Sequence, residues 1–213
     1  MKNIYKGFTL IEMAVVLVIV GLLLSGLLIP LTAQIDQKDY SQAKSQLQEI
    51  REALLGYAVV NGRLPCPDTS GDGIEDVCST IASSTTGGNI PWIDLGIQPR
   101  DPWQQNYRYR VNGAFTSSFT LSTTGSGLGV LRVCTDNTCA ANVASNVPAI
   151  IYSSGKNGGS VSTSADELEN TDDDKDFVSH DFSNSAVAGF DDLVVWISSN
   201  VVMNRMVSAN RLP

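Results

Sequence analysis

Between Phe8 and Ala33 this chain carries a single charged side chain, Glu12. An apolar run of that length exceeds the roughly 20 residues a helix needs to cross a bilayer, so the pattern predicts a transmembrane helix over 8–33. Lys2 and Lys6 precede it with no acid before Glu12. That basic flank assigns the N-terminal side to the cytoplasm and everything after the helix to the far side of the membrane. An ordinary secretory signal has a shorter apolar core followed by a small-residue cleavage site. Here the cut suggested by the sequence lies ahead of the apolar run, giving a leader over 1–7 and a helix retained on the mature chain.

Glu12 makes this helix more than an anchor. A carboxylate within a spanning segment costs about 2.5–3.5 kcal/mol on insertion scales, so a cation must neutralise it or the side chain must snorkel to the interface. Cleavage after Gly7 creates such a cation, the α-amino group of Phe8. Within one helix the two charges lie about one turn apart; made between staggered neighbours, the same pair satisfies both and sets an axial offset.

Beyond the apolar run the periodicity becomes amphipathic. Ala43, Leu47, Ile50, Leu54 and Tyr57 recur at spacings of four and three, while Lys44, Gln48, Glu49, Arg51 and Glu52 fill the other faces. Residues 34–61 therefore read as a continuation of the same helix, about 50 residues and roughly 75–80 Å in all, ended by Gly62 and Pro65. The remainder, 62–213, reads as one β-rich head, large enough for one core. Its strand-like runs are Tyr107–Val111, Phe119–Thr123, Val130–Cys134, Ala149–Ser153 and Leu193–Ile197, with a short terminal helix over Asn200–Ser208 capped by Ser199 or Asn200. The fold class expected is α+β, a long N-terminal helix packed against a mostly antiparallel C-terminal sheet.

Charge and cysteine content restrict the partners. The formal charge is -8, and loss of Lys2 and Lys6 with the leader takes it to -10. Such a head argues against a nucleic-acid surface. Four cysteines allow three pairings, of which the local one, Cys66–Cys78 with Cys134–Cys139, is simplest and agrees with export to an oxidising compartment. Neither pair is C-x-x-C and no histidine accompanies either, which disfavours zinc.

Gly7-Phe8-Thr9-Leu10-Ile11-Glu12 resembles the class III signal of type IV pilins and pseudopilins. The resemblance implies a prepilin peptidase that cuts after Gly7 and methylates the amine of Phe8. It also implies docking of Glu12 to the N-terminus of an adjacent subunit, and a type IV pilin-like fold. Gly21, Gly26 and Pro30 resemble positions where the family helix loosens in the filament; packing glycines and a tolerated membrane proline are the plainer reading. Asp101-Pro-Trp103-Gln-Gln-Asn-Tyr107 resembles the Asp-Pro-Trp-Gly-x-Pro-Tyr segment that opens the sheet of major pseudopilins, with Gln104 in place of glycine and Asn106 in place of proline.

Two acidic segments are candidate calcium sites. Asp68, Ser70, Asp72 and Asp76 alternate oxygen donors around Gly73 inside the Cys66–Cys78 loop, although Ser79 stands where a calcium loop has its bidentate acid. Asp172, Asp173, Asp174 and Asp176 form a denser run, and resemble in place and composition the late loop that a calcium ion orders in major pseudopilins. A solvated acidic loop is the competing reading for each.

Catalytic motifs are lacking. His180 is the sole histidine, no Gly-x-Ser-x-Gly is present, and Gly125-Ser-Gly127-Leu-Gly129 lacks the context of a nucleotide site. The expectation is a non-enzymatic minor pilin or pseudopilin, held in the inner membrane with its head in the periplasm. Its partners would be the peptidase, other subunits and the inner-membrane assembly platform, and its destination a pilus or type II secretion filament. A filament-displayed adhesin or DNA-receptor module is the alternative from another class, and a membrane-tethered enzyme the third.

Overall fold

The computed structural model describes residues 7–126, 129–158, 164–183 and 189–212, and within 24–33 the backbone alone. The leader residues 1–6 and Gly127 lie outside the described residues, as do the side chains of Gly26 and Pro30. Helix α1 runs Leu10–Asn61 without a break in its assignment. It stops where Gly62 takes a left-handed conformation and its N–H returns to the Ala58 carbonyl at 2.8 Å. The chain divides into two compact units at Ser41/Gln42, inside this helix. The second unit therefore takes helical residues 42–61 into the head.

In that unit the amphipathic stripe is the buried one. Ala43, Leu47, Ile50, Leu54, Leu55 and Ala58 are buried, with Tyr57 half-buried at the rim. Fully burying a leucine or isoleucine contributes roughly 1.5–3 kcal/mol, so this face alone ties the helix to the head. The sheet it meets has the order β1 (Thr85–Asn89), β2 (Arg108–Asn112), β5 (Ala149–Ser153), β7 (Leu193–Ile197), antiparallel throughout. Tyr109 lies opposite Ile151, and Ile151 opposite Val195. Tyr107 reaches helix α1, its hydroxyl donating to Gln46 Oε1 at 2.8 Å, and the Tyr109 hydroxyl donates to the Pro65 carbonyl.

β5 is buried along its whole length, as its unbroken Ala-Ile-Ile-Tyr run requires of a strand covered on both faces. Its second face receives a smaller sheet, ordered β4 (Asn142–Val147), β3 (Leu131–Cys134), β6 (Asp176–Val178). β3 and β6 are parallel, so the second sheet is mixed. Leu131, Val133, Val147 and Phe177 from it pack with Ile150 and Tyr152 in one core. Short helices α2 (Trp92–Leu95) and α3 (Ala165–Glu169) interrupt the strands, and α4 (Ser199–Ser208) closes the chain. α4 buries Val202, Met203 and Met206. Its Arg205 pairs with Glu52 of α1 at 2.5 Å.

Two expectations change. Phe119–Thr123 is a turn rather than a strand, because Thr120 and Thr123 bond each other through backbone and hydroxyl and leave nothing for a ladder. Phe119 is nevertheless buried, against Phe115. The cap position of α4 is Ser198, with no side-chain cap bond. Among the described residues no helix is long and apolar enough to cross a membrane. Within the expected 8–33 span, side chains are described only through Leu23.

Candidate functional site

Two places in the chain carry features that packing does not explain. The first heads α1. Thr9 caps the helix: its backbone N–H and its hydroxyl both donate to Glu12 Oε2 at 2.8 Å, while the Glu12 N–H donates to Thr9 Oγ1 at 3.3 Å. This is a capping box, Thr-x-x-Glu. Threonine three residues ahead of glutamate is the sequence signal for it, beside the charge that Glu12 carries. Around it Phe8, Leu10 and Ile11 are 81%, 93% and 72% exposed, and Phe8, Ile11, Glu12, Val15 and Val16 line a shallow concavity. Nothing within the described chain covers this surface. An apolar surface of that kind is built for lipid or for other subunits.

The second lies in the head, where carboxylates of Glu167, Asp191 and Asp192 converge within 4.8 Å of one another. Glu167 is on α3 and the two aspartates enter β7. Glu167 accepts from the Asp191 N–H at 2.9 Å and from the Asn157 side chain at 3.0 Å. Asp192 accepts from Asn170 Nδ2 at 2.7 Å, and Asn170 is in turn fixed to Val178 of β6. One atom is left over: Asp191 Oδ1 is buried and has no hydrogen-bond partner. Burial first, then the neighbouring acids, push Asp191 up to about 6 and Asp192 up to about 7. Hard oxygen donors crowded in this way, with one unsatisfied, fit a calcium-like cation.

The acids singled out in the sequence divide between one convergent group and separate partners. Asp172 and Asp174 converge with Glu169 at an exposed site. Asp173 pairs with Arg110, and Asp176 with Arg132 and Lys175. In the disulfide loop, Asp68 accepts from Ser70 Oγ and the N–H groups of Gly71 and Gly73, Asp76 from Thr69 and Ser70, and Asp72 from Ile74. Those carboxylates are turned onto the loop's own donors. Both disulfides, Cys66–Cys78 and Cys134–Cys139, are formed, with Cα separations of 5.6 and 5.1 Å. Beside the first, burial pushes Glu75 up, but Arg63, Tyr57 and the Cys66 N–H outweigh it and hold the carboxyl down at about 2. His180 is exposed, bonded to Asp166 at 3.1 Å and lying against Phe190.

The family described as type II secretion system (T2SS), protein G matches residues 30–128, and the prokaryotic N-terminal methylation motif matches residues 2–28. The chain is 30% identical over 117 residues to the type II secretion system core protein G of Aeromonas hydrophila, covering 54% of this chain and 78% of that protein. It is 32% identical to its counterpart in Pseudomonas aeruginosa, over 51% of this chain and 75% of the other. The Vibrio cholerae protein is 30% identical, over 53% and 77%. The chain belongs to the type II secretion protein G family. It is thus a pseudopilin, a structural subunit rather than an enzyme, and the secretion branch is favoured over the pilus. No solved structure matches. The family match ends at residue 128, so β3 onward, with the second sheet and the acidic cluster, lies beyond it.

Proposed function

We propose that this pseudopilin is cut after Gly7 by prepilin peptidase, methylated on Phe8, and held in the inner membrane by the helix over 8–33 with its head in the periplasm. From there it joins a type II secretion filament through the inner-membrane assembly platform. The exposed apolar surface of α1 beneath the Thr9–Glu12 box carries this reading, together with the methylation-motif match. In the free subunit the capping box satisfies Glu12; in the filament, the amine of a neighbour's Phe8 replaces or joins Thr9 as its partner. Because like helices then meet with one charge pair each, the pair sets the axial step between subunits.

The peptidase requires a small residue at the scissile bond. Gly7→Val is expected to keep the leader attached, read as the intact mass of the membrane-extracted protein. A wild-type mature N-terminus other than Phe8 would overturn the reading.

We further infer that the head takes calcium at Glu167, Asp191 and Asp192, where three carboxylates from α3 and the entry to β7 converge. Bound there, the cation would supply charge neutralisation for three crowded carboxylates. It would tie α3 to the start of β7.

A further inference from the structure

His180, the one histidine of the chain, faces two oxygens that only accept hydrogen bonds, a backbone carbonyl and a carboxylate. Its Nδ1 lies 2.9 Å from the Asp181 carbonyl oxygen and its Nε2 3.1 Å from Asp166 Oδ2. A neutral imidazole carries one N–H, so either tautomer satisfies one of these oxygens and sets a lone pair against the other. The imidazolium, with an N–H on each nitrogen, satisfies both. Phe190 suits the same form, its ring centroid lying 3.9 Å from that of His180, because an aromatic ring attracts a cation held against it.

The bond to Asp166 reaches beyond one ring. Asp166 stands in the first turn of α3, and its Oδ1 accepts from the Asn137 N–H at 2.8 Å. Asn137 lies in the turn that joins β3 to β4 and that the Cys134–Cys139 disulfide closes. His180 follows β6, which is tied to the end of β3 where the Ser179 N–H donates to the Cys134 carbonyl at 3.1 Å. One carboxylate thus joins α3, the β3–β4 turn and the exit of β6. Asp136 in the same turn is occupied locally, accepting from the Thr138 N–H at 2.9 Å and from its hydroxyl. The other charged residues on the contacting segments are the acids Glu167, Glu169, Asp181, Asp191 and Asp192, while Arg132 and Lys175 beside β6 pair with Asp176.

We propose that His180 is a proton-operated clasp, which when protonated holds Asp166 and through it docks the disulfide-closed β3–β4 turn on α3. Deprotonation either breaks the Nε2 bond or pushes the ring off the Asp181 carbonyl. In both cases the charge-assisted bond to Asp166 is lost. Histidine changes charge between about pH 5 and 8. The clasp is therefore closed at the acidic end of that range and opens as pH rises, and the stability it contributes is present in acid and lost in the same direction. Asn137, Asp166, His180 and Phe190 all lie beyond residue 128, where the family match ends.

The test is an NMR titration of the full chain in detergent micelles between about pH 5 and 8, with EDTA present so that divalent cations take no part. A single histidine gives one ring to follow. At the acidic end both ring nitrogens should carry a proton, and the Asn137 amide signal should shift with the same midpoint as the ring. His180→Gln keeps one neutral donor toward Asp166, so the pH-dependent shift of Asn137 should be lost in it, as in Asp166→Asn. Urea melts should show wild type gaining on His180→Gln toward acid and losing that gain as pH rises. An Asn137 amide that stays still while the ring titrates would overturn the clasp. So would a ring with one proton at the acidic end, or melts of wild type and His180→Gln that follow pH in parallel. Should Asp166→Asn fail to fold, His180→Gln decides.

Discussion

At the scale of single residues, the two glutamates Glu12 and Glu75 are held by different means and should fail differently. Glu12 is bonded by Thr9 at an exposed helix start, so Glu12→Ala costs a cap, about 1 kcal/mol of local helix stability. Insertion and cleavage should survive. Incorporation beside wild-type subunits should drop, because the neighbour's Phe8 amine loses its partner; crosslinking of co-expressed tagged subunits measures this, and normal incorporation would contradict the registry role. Glu75 is bonded by both Arg63 nitrogens, the Tyr57 hydroxyl and the Cys66 N–H. Its folded pKa, about 2, lies below its ordinary value of 4.5. The stability it contributes is therefore present above about pH 4.5 and is lost as pH falls through about 2. Glu75→Gln should lower unfolding free energy by about 1–3 kcal/mol at pH 7, with the gap to wild type closing on acidification, as urea melts at several pH values would record. Gln104 is a residue-level oddity of another kind. It takes φ +68° where the resembling segment has glycine, a conformation that costs a side-chain-bearing residue about 1–2 kcal/mol.

Among the elements, the two disulfides do unequal work. Cys66–Cys78 closes a separation of 12 residues and Cys134–Cys139 one of 5. The chain-entropy estimate gives about 3 and about 2 kcal/mol, so replacing the first pair by serine should lower the urea midpoint more than replacing the second. Equal losses would mean that native contacts, rather than loop closure, dominate. The 66–78 loop has further ties in Asp68 and in Asp94, which accepts from the Glu75 N–H at 2.7 Å. It should therefore keep part of its order when the disulfide is gone. The strands missed in the sequence have physical explanations. β1 is Thr-Thr-Gly-Gly-Asn, an edge strand with almost no apolar pattern, recruited by pairing with β2. β4 is mostly exposed and β6 has three residues, so neither carries a periodic signal.

For the whole molecule, burial divides sharply along α1. Every buried apolar side chain among the described residues comes from Ala43 onward, and the exposed large ones include Phe8, Leu10, Ile11 and most of their apolar neighbours through Leu23. A fragment beginning at residue 36 should fold with native circular dichroism and run as a monomer without detergent. The full chain should need detergent; a fragment that unfolds or aggregates would show that the first unit contributes to the head's core.

The methylation motif and the long helix were legible in the chain because they are local: the motif is a short contiguous stretch, and α1 follows from a sustained periodicity closed by Gly62. The same holds for β5 and β7, whose apolar runs matched Ala149–Ser153 and Leu193–Ile197 residue for residue. The disulfides were legible too, since each closes a short loop. The candidate cation site was not. Acidic density points to 68–76 and 172–176; in the second, Asp172 and Asp174 converge with Glu169, while Asp173 and Asp176 turn to Arg110 and Arg132. The convergence of Glu167 with Asp191 and Asp192 depends on α3 packing by β6 and on the entry into β7. Local order follows from spacing along the backbone; which charges share a buried space is decided by the packing of distant segments.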